Sequence, residues 1–285
     1  MSTRPDRVVS LHELAAGIPD GSHVALAGFA ITRNAVAFAH ELIRAGTVGL
    51  SVTQVFGGIE TDLLVAGGAV DRLTYASGSL DRFGLLHAVN RALQTGRLEL
   101  SEYSGLALAL RLHAGGLGLP FVTTRSMLGS DLLAPLVAAG QVKQIESPFD
   151  GAPCLALPPL RPDFSVIHVD VADRAGNAVV DGPLWSIPET ARASKVVLLV
   201  SEEIVDVGEL DPSRVTIPGS LVHAVTHVPR GGHPTAVYGR YDYDAGHLRS
   251  YVAAASAGAE EHDAYLDRFV RGVSTFDEYL ALAAA

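Results

Sequence analysis

Short apolar runs alternate with amphipathic stretches along most of the chain. The first run, HVALAGF at 23–29, predicts a strand that ends at Gly28 and Phe29, and residues 34–46 predict the helix that follows it. Strands that alternate with helices indicate a parallel sheet with helices packed on both faces. Further strands are predicted at 50–56, 73–76, 98–100 and 120–124, with helices at 60–69, 86–96 and 104–116.

The second half continues the pattern and adds a hairpin. Residues 165–172 and 178–180 predict two strands joined by a tight turn, and the wholly apolar run 195–201 predicts an interior strand. Another strand is predicted at 221–228, a surface crossing at the proline-rich segment 148–162, and helices at 188–194, 260–270 and 275–284. We therefore expect an α/β fold with an open, mostly parallel sheet and helices on both faces. It forms a single domain over residues 1–285, with a C-terminal helical extension at about 258–285.

Composition and charge indicate which kinds of binding partner are disfavoured. The 285 residues carry a net charge of −10, which disfavours binding to nucleic acid or to an anionic membrane. Only 18% of residues are charged, which indicates either a surface covered by another chain or an Ala- and Gly-rich composition. Cys154 is the only cysteine, so no disulfide within the chain is possible and a cytoplasmic location is expected.

The turn after the first strand is the first candidate site. Gly28 stands where a side chain would block close approach, and Phe29 and Arg33 lie where an open parallel sheet places its ligand. Gly28 lacks the partner glycines of a dinucleotide-binding fingerprint. No metal-ligand spacing, Gly-x-Ser-x-Gly elbow or P-loop is present in the sequence.

Two other segments could carry chemistry. Glu102 joins a short strand to a helix, where it could act as a nucleophile or general base, or simply oppose the helix dipole. Arg125, followed by Gly129 and Ser130, could form an anion or carbonyl pocket, or Arg125 could pair with Asp131 on the surface.

Several segments, in order along nearly the whole chain, resemble the α-subunits of the family I CoA-transferases, of the glutaconate CoA-transferase type. Residues 25–29 with Arg33 are similar to the family's Gly-Gly-Phe signature, although Ala27 and Ala35 depart from its usual Gly and Pro. The motifs at 102–104, 129–130, 147–149, 217–219 and 238–244 follow with the family's spacing. The resemblance also implies the fold of the NagB, RpiA and CoA-transferase type.

The resemblance implies half of an enzyme that is active only with a homologous β-subunit, in an αβ or α2β2 assembly. A glutamate of that β-subunit would form the glutamyl-CoA intermediate while CoA moves between an acyl-CoA and a small carboxylic acid. The CoA thioester is then a substrate, and no cofactor is permanently bound. This chain would contribute substrate-binding residues, namely Gly28, Phe29, Arg33, Ser77, Arg125, Gly129 and Ser130.

Three alternatives remain open. The chain is also similar to α-subunits of ring-opening acyl-CoA hydrolases, in which Glu102 would be catalytic and Arg125 would orient the substrate. A decarboxylase of glutaconyl-type CoA esters would differ only in the partner chain. A non-catalytic sensor of sugar phosphates would need a DNA-binding domain, and the sequence has no helix-turn-helix with a basic surface.

Overall fold

The computed structural model describes residues 6–285, whose strands form one large sheet and two small ones. The large sheet has seven strands, and all its neighbouring strands run parallel. In chain order the strands are β1 (His23–Phe29), β2 (Leu50–Gly57), β3 (Val70–Gly78), β4 (Glu99–Glu102), β5 (Val122–Thr124), β6 (Lys143–Glu146), β7 (Pro153–Leu157), β8 (Phe164–Val169), β9 (Val171–Asp173), β10 (Ala178–Val179), β11 (Val196–Ser201), β12 (Ile204–Val205) and β13 (Val222–His227).

Helices occupy most of the connections between strands. They are α1 (Leu11–Ala16), α2 (Val36–Ala45), α3 (Ile59–Ala66), α4 (His87–Gln94), α5 (Gly105–Gly116), α6 (Leu133–Ala138), α7 (Ile187–Ala193), α8 (Ala245–Ala257), α9 (Ala259–Leu266) and α10 (Phe276–Ala283). A π-helical segment, Asp267–Arg271, continues α9.

The strand order of the large sheet reverses once, next to β1. Across the large sheet the order is β13-β11-β8-β1-β2-β3-β4. The chain moves outward from β1 to β4, returns to the other side of β1 at β8, and moves outward again to β13. The order therefore reverses between β1 and β8, and ligands of open α/β sheets bind outside the carboxyl ends of the strands at such a point. The turn after β1 lies there, as predicted.

Both faces of the large sheet are covered, which confirms the predicted fold class. On β11, Val197 and Leu199 belong to the buried cluster that contains Ile187 of α7. The alternate residues Leu198 and Val200 belong to the opposite cluster, with the helices α1–α4 and α8–α10. β11 pairs with β8 on one side and β13 on the other, so the prediction of an interior strand at 195–201 is confirmed.

The two small sheets give one confirmed prediction and one wrong one. β9 and β10 form the predicted antiparallel hairpin. Segment 148–162, however, does more than cross the surface, because it contains β7, the middle strand of the antiparallel sheet β5-β7-β6. Leu155 and Leu157 of this strand are fully buried. The prolines misled the prediction, since Pro153 begins the strand and so removes no hydrogen bond from its interior.

The C-terminal helices pack on α3 and α4 through buried polar contacts. Tyr251 of α8 donates to Asp62 Oδ2 of α3 over 2.7 Å, and His247 Nε2 lies 2.6 Å from the Tyr265 hydroxyl. Helix α8 was not predicted, so the helical part begins at Ala245 rather than near residue 258. Within residues 6–285, none of the helices combines the length and apolar character that a membrane span requires.

Candidate functional site

Backbone hydrogen bonds hold the turn after β1 in one conformation. Phe29 N–H donates to the Thr32 carbonyl over 2.9 Å, and Thr32 N–H donates back over 2.7 Å. Arg33 N–H donates to the Ala236 carbonyl over 2.8 Å, which ties the turn to the segment before α8. Ala30 and Arg33 have φ values of 49° and 56°, a left-handed conformation that is uncommon for residues with a side chain. The turn therefore holds Phe29 at the carboxyl edge of the sheet.

A buried polar network lies behind this turn. The Glu60 carboxylate, in the first turn of α3, accepts from Gln54 Nε2 over 2.6 Å and from Asn34 Nδ2. Gln54 Nε2 also donates to the Gly28 carbonyl over 3.0 Å. A Cβ on Gly28 would lie 2.6 Å from Glu60 Oε1, so the predicted close approach at this glycine is confirmed. Burial raises the pKa of Glu60 to about 7, although its hydrogen bonds favour the ionised form.

The Arg33 guanidinium is turned inward. Its Nη1 lies 2.7 Å from Asp170 Oδ2 in an ion pair that is almost wholly buried, and its Nη2 donates to the Asp181 carbonyl over 2.8 Å. Arg240 approaches the other oxygen of Asp170 at 3.4 Å. We predicted a substrate contact for Arg33, but in this arrangement its charge is matched by Asp170. Arg33 therefore supports the turn and the segment after β10 from below.

Phe29 faces a cavity of about 580 Å³ between the end of the sheet and the helices α5 and α7. The Phe29 ring stacks on Trp185, with centroids 3.8 Å apart and planes 11° apart, and lies 4.5 Å from the Phe56 ring. From the strands, the lining residues are Gly28, Phe29, Val55 and Phe56.

The rest of the lining comes from the two helices and the residues before α7. Ser186, the N-cap residue of α7, is largely buried, whereas His113 in the last turn of α5 is exposed. The cavity is therefore apolar except at His113, Ser186 and Glu189. The lining residues on this side are Gly105, Leu106, Ala109, Leu110, His113, Trp185, Ser186 and Glu189.

Ser77 and Glu102 lie at the same edge of the sheet, beside the cavity. Ser77 is paired with Phe56 across β2 and β3, and its side chain is exposed. Glu102 ends the outermost strand β4, is exposed, and lies three positions before Gly105, which lines the cavity. Both interpretations of Glu102 fit this place, since it is at the carboxyl edge and also precedes the Ser104 N-cap of α5.

Arg125, Gly129 and Ser130 lie in the loop after β5. This loop touches the start of α5, because Ser126 Oγ and Ser104 Oγ are 2.6 Å apart. Arg125 is exposed, Gly129 has a φ of 75°, and Ser130 Oγ donates to the Met127 carbonyl over 2.8 Å. Of the predicted residues, the structure brings Gly28 and Phe29 into the cavity lining and leaves the Arg125 loop attached to the helix that forms one side of it.

Sequence reasoning missed the residues that give the cavity its character. Phe56 and Trp185 meet Phe29 from a neighbouring strand and from a distant loop. Leu106, Ala109, Leu110 and His113 are spaced i, i+3, i+4 and i+7, which places them on one face of α5. The spacing is visible in the sequence, but the opposite face of α5 is also apolar, so the spacing alone does not show which face lines a cavity.

A second polar cluster lies at the carboxyl ends of β8 and β11. Glu202 accepts from the Tyr241 hydroxyl over 2.5 Å and from Arg230 N–H over 2.6 Å, and its Oε1 lies 2.8 Å from His168 Nε2. Burial would raise the pKa of Glu202, but these hydrogen bonds outweigh it and lower the pKa. His168 is thus a buried, hydrogen-bonded residue of this cluster. Of the adjacent carboxylates, Glu202 is buried and Glu203 is exposed.

The chain is similar to known proteins over nearly its whole length. The coenzyme A transferase family model matches residues 8–227. One subunit of the 3-oxoadipate CoA-transferase of Pseudomonas knackmussii is 36% identical over 270 residues, which cover 94% of each chain. A protein of Archaeoglobus fulgidus is 35% identical over 283 residues, or 96% of this chain, which spans 62% of that protein's length. The crystal structure of glutaconate CoA-transferase from Acidaminococcus fermentans has a TM-score of 0.92 and 29% identity, covering 98% of this chain and 93% of that chain.

Proposed function

The chain belongs to the family I CoA-transferases as an α-subunit, and we propose that it works with a homologous β-subunit to move CoA from an acyl-CoA to a carboxylic acid. The observation that supports this most is the match over 94% of both chains to a protein that is named as one subunit of a CoA-transferase. The assembly is αβ or α2β2, this chain forms one domain of it, and its location is the cytoplasm.

The proposed chemistry is covalent catalysis in two half-reactions. The thioester carbonyl is attacked by a glutamate carboxylate of the β-subunit, CoA leaves as the thiolate, and a mixed anhydride forms. The thiolate then attacks the glutamyl carbonyl, which releases the first acid and leaves a glutamyl-CoA thioester. The acceptor acid repeats the two steps in reverse order and leaves as the new acyl-CoA. The CoA thioester is thus a substrate that enters and leaves in each cycle.

In this proposal the α-subunit shapes the acyl site. Gly28 and Phe29 line the cavity, and Ser77 lies beside it at the end of the neighbouring strand. Arg33 acts as a positioning residue through Asp170. The loop with Arg125, Gly129 and Ser130 would contact the part of the substrate that extends beyond α5, since it is anchored to the start of that helix through Ser126.

The test is acceptor dependence. The chain is co-produced with the protein encoded next to it, and acyl-CoA esters are followed by chromatography with and without an acceptor acid. Transfer predicts a new CoA ester only when the acceptor is present, no turnover by this chain alone, and measurable transfer in a Glu102→Gln enzyme. Acceptor-independent release of a free or ring-opened acid that disappears in Glu102→Gln would contradict transfer and support the hydrolase.

A further inference from the structure

Helix α5 is apolar on two faces, and only one of them packs against the protein core. Ala107, Leu108 and Leu112 are buried in the cluster beneath the helix. Leu106 and Leu110, with Ala109 between them along the second face, line the cavity instead, and Leu106 is 59% exposed. An apolar face left open to water beside a cavity is typical of a ligand-binding surface.

The aromatic rings extend this apolar surface across the mouth of the cavity. Trp185 is 47% exposed although its ring stacks on Phe29. Its backbone has a φ of 51°, a left-handed conformation that costs free energy for a residue with a side chain. The segment before α7 therefore holds a large apolar ring at the cavity in spite of local strain, which points to a role for that ring there.

The charges around the cavity favour a neutral occupant. Glu189, in the first turn of α7, is the one carboxylate among the residues that line the cavity in the described part of the chain, and none of them is lysine or arginine. Arg33 is paired with Asp170 below the turn. Apart from His113 and Ser186, a free carboxylate inside the cavity would therefore meet apolar side chains and the negative charge of Glu189.

We propose that this cavity binds the acyl part of the CoA thioester and selects an uncharged apolar acyl group, aliphatic or alicyclic, over a dicarboxylic one. This inference rests on the proposed transferase function and adds the class of substrate. Glu189 is then a specificity-determining residue, because its charge disfavours a second carboxylate. Two of the related proteins are named for dicarboxylic acids, so the proposal separates this chain from them.

The first test is the acyl preference of the enzyme assembled with its partner. Thioesters from propionyl-CoA to octanoyl-CoA, cyclohexanecarbonyl-CoA and glutaryl-CoA are compared with acetate as acceptor, and the formation of acetyl-CoA is measured. We expect kcat/KM to rise about fourfold for each added methylene until the cavity is full, and glutaryl-CoA to react more slowly than hexanoyl-CoA. Equal or faster reaction of glutaryl-CoA would overturn the proposal.

Two variants connect that preference to this cavity. Ala109→Phe places a ring inside the cavity and should lower kcat/KM for hexanoyl-CoA at least tenfold more than kcat/KM for propionyl-CoA. Glu189→Gln should raise kcat/KM for glutaryl-CoA on the order of tenfold relative to hexanoyl-CoA. Ala253→Phe on the exposed side of α8 and Glu261→Gln in the first turn of α9 are the matched controls.

Two results would overturn the proposal. One is an acyl preference that is unchanged in both cavity variants. The other is loss of the partner subunit from the Ala109→Phe complex, because the cavity would then bind the partner.

Binding can be measured without turnover, since Trp185 is the only tryptophan of the chain. The fluorescence of the assembled enzyme is titrated with hexanoyl-CoA, glutaryl-CoA and free CoA, and the signal that Trp185→Phe abolishes is assigned to Trp185. We expect this signal to change with hexanoyl-CoA at concentrations at least tenfold below those of glutaryl-CoA. A change in Trp185 fluorescence without acceptor-dependent turnover would refute the transferase function but support acyl binding in the cavity. Acceptor-dependent transfer without a change in Trp185 fluorescence would support the transferase function but refute acyl binding in the cavity.

Discussion

Replacing Glu60 with glutamine should remove the contribution of this carboxyl group to the pH dependence of the free energy of unfolding. Glu60 has an ordinary pKa near 4.5 in the unfolded chain and a pKa of about 7 in the folded one, because the carboxyl group is buried behind the Phe29 turn. Between these pH values the folded state holds one proton more than the unfolded state. The free energy of unfolding of the natural protein therefore falls as pH rises from 4.5 to 7.

The size of this effect follows from the difference in pKa. Each unit corresponds to about 1.4 kcal/mol, so ionising Glu60 in the folded protein costs about 3 kcal/mol by pH 8. Glutamine carries no charge and has nearly the same shape. Asn34 Oδ1 is buried without a hydrogen-bond partner. If the Asn34 side-chain amide rotates by half a turn, Oδ1 can accept a hydrogen bond from the amide N–H of the introduced glutamine. It can equally accept one from the O–H of a protonated Glu60.

The assay is urea unfolding of the natural protein and the variant at pH 5 and pH 8, followed by far-UV circular dichroism. Asp62, whose pKa burial raises to about 6, acts in the same direction as Glu60, and His247, whose pKa burial lowers to about 4, acts in the opposite direction. Only the difference between the two proteins therefore isolates Glu60. Part of the effect is already present at pH 5, so we expect the variant to become more stable relative to the natural protein by about 2.5 kcal/mol between pH 5 and pH 8. The exposed control Glu261→Gln should show no such gain. A change below about 0.5 kcal/mol for Glu60→Gln would refute a buried, proton-binding carboxyl group.

Three further substitutions test the contacts around the turn and the tail. Gly28→Ala places a Cβ against Glu60 and Asn34 and should lower the free energy of unfolding by about 1–3 kcal/mol in urea titrations, so an unchanged midpoint would contradict the close approach. Asp170→Asn leaves the buried Arg33 guanidinium without a counter-charge and should cost about 3–5 kcal/mol, seen as a lower unfolding temperature by calorimetry. Tyr251→Phe removes the hydroxyl that donates to Asp62 and should lower the free energy of unfolding by about 1–3 kcal/mol. Proteolysis within the C-terminal helices should then be faster, and equal cleavage rates in the two proteins would contradict a stabilising role for this hydrogen bond.

The fold and the position of the turn after β1 could be predicted because both depend on local patterns. Alternating apolar runs identified the parallel sheet, and the glycine at the end of β1 marked the turn where a side chain has no room. The cavity could not be predicted in the same way, because its contacts join distant residues. Phe29 meets Trp185 from the segment before α7, and neither position carries a local signal that the two rings stack.

The ion-pair partner of Arg33 could not be predicted from the sequence either. Close to a predicted site, an arginine is expected to bind an anionic ligand. Its actual partner, Asp170, follows β8 on the other side of the point where the strand order reverses. The sequence predicts that β1 and a later strand meet, but not which charges lie opposite each other there. The direction of a buried side chain therefore depends on the completed sheet.

The two sides of the Phe29 turn explain how Arg33 can shape the cavity without contacting an acyl group. In front, the Phe29 ring stacks on Trp185. Behind, Arg33 donates to the Asp181 carbonyl, in the same segment that carries Trp185, and pairs with Asp170, which also accepts from Asp181 N–H over 2.8 Å. The turn and that segment are thus joined by an apolar contact and by a buried ion pair with its hydrogen bonds. Loss of the ion pair should displace Trp185 and open the aromatic side of the cavity, although the arginine itself is buried below the turn.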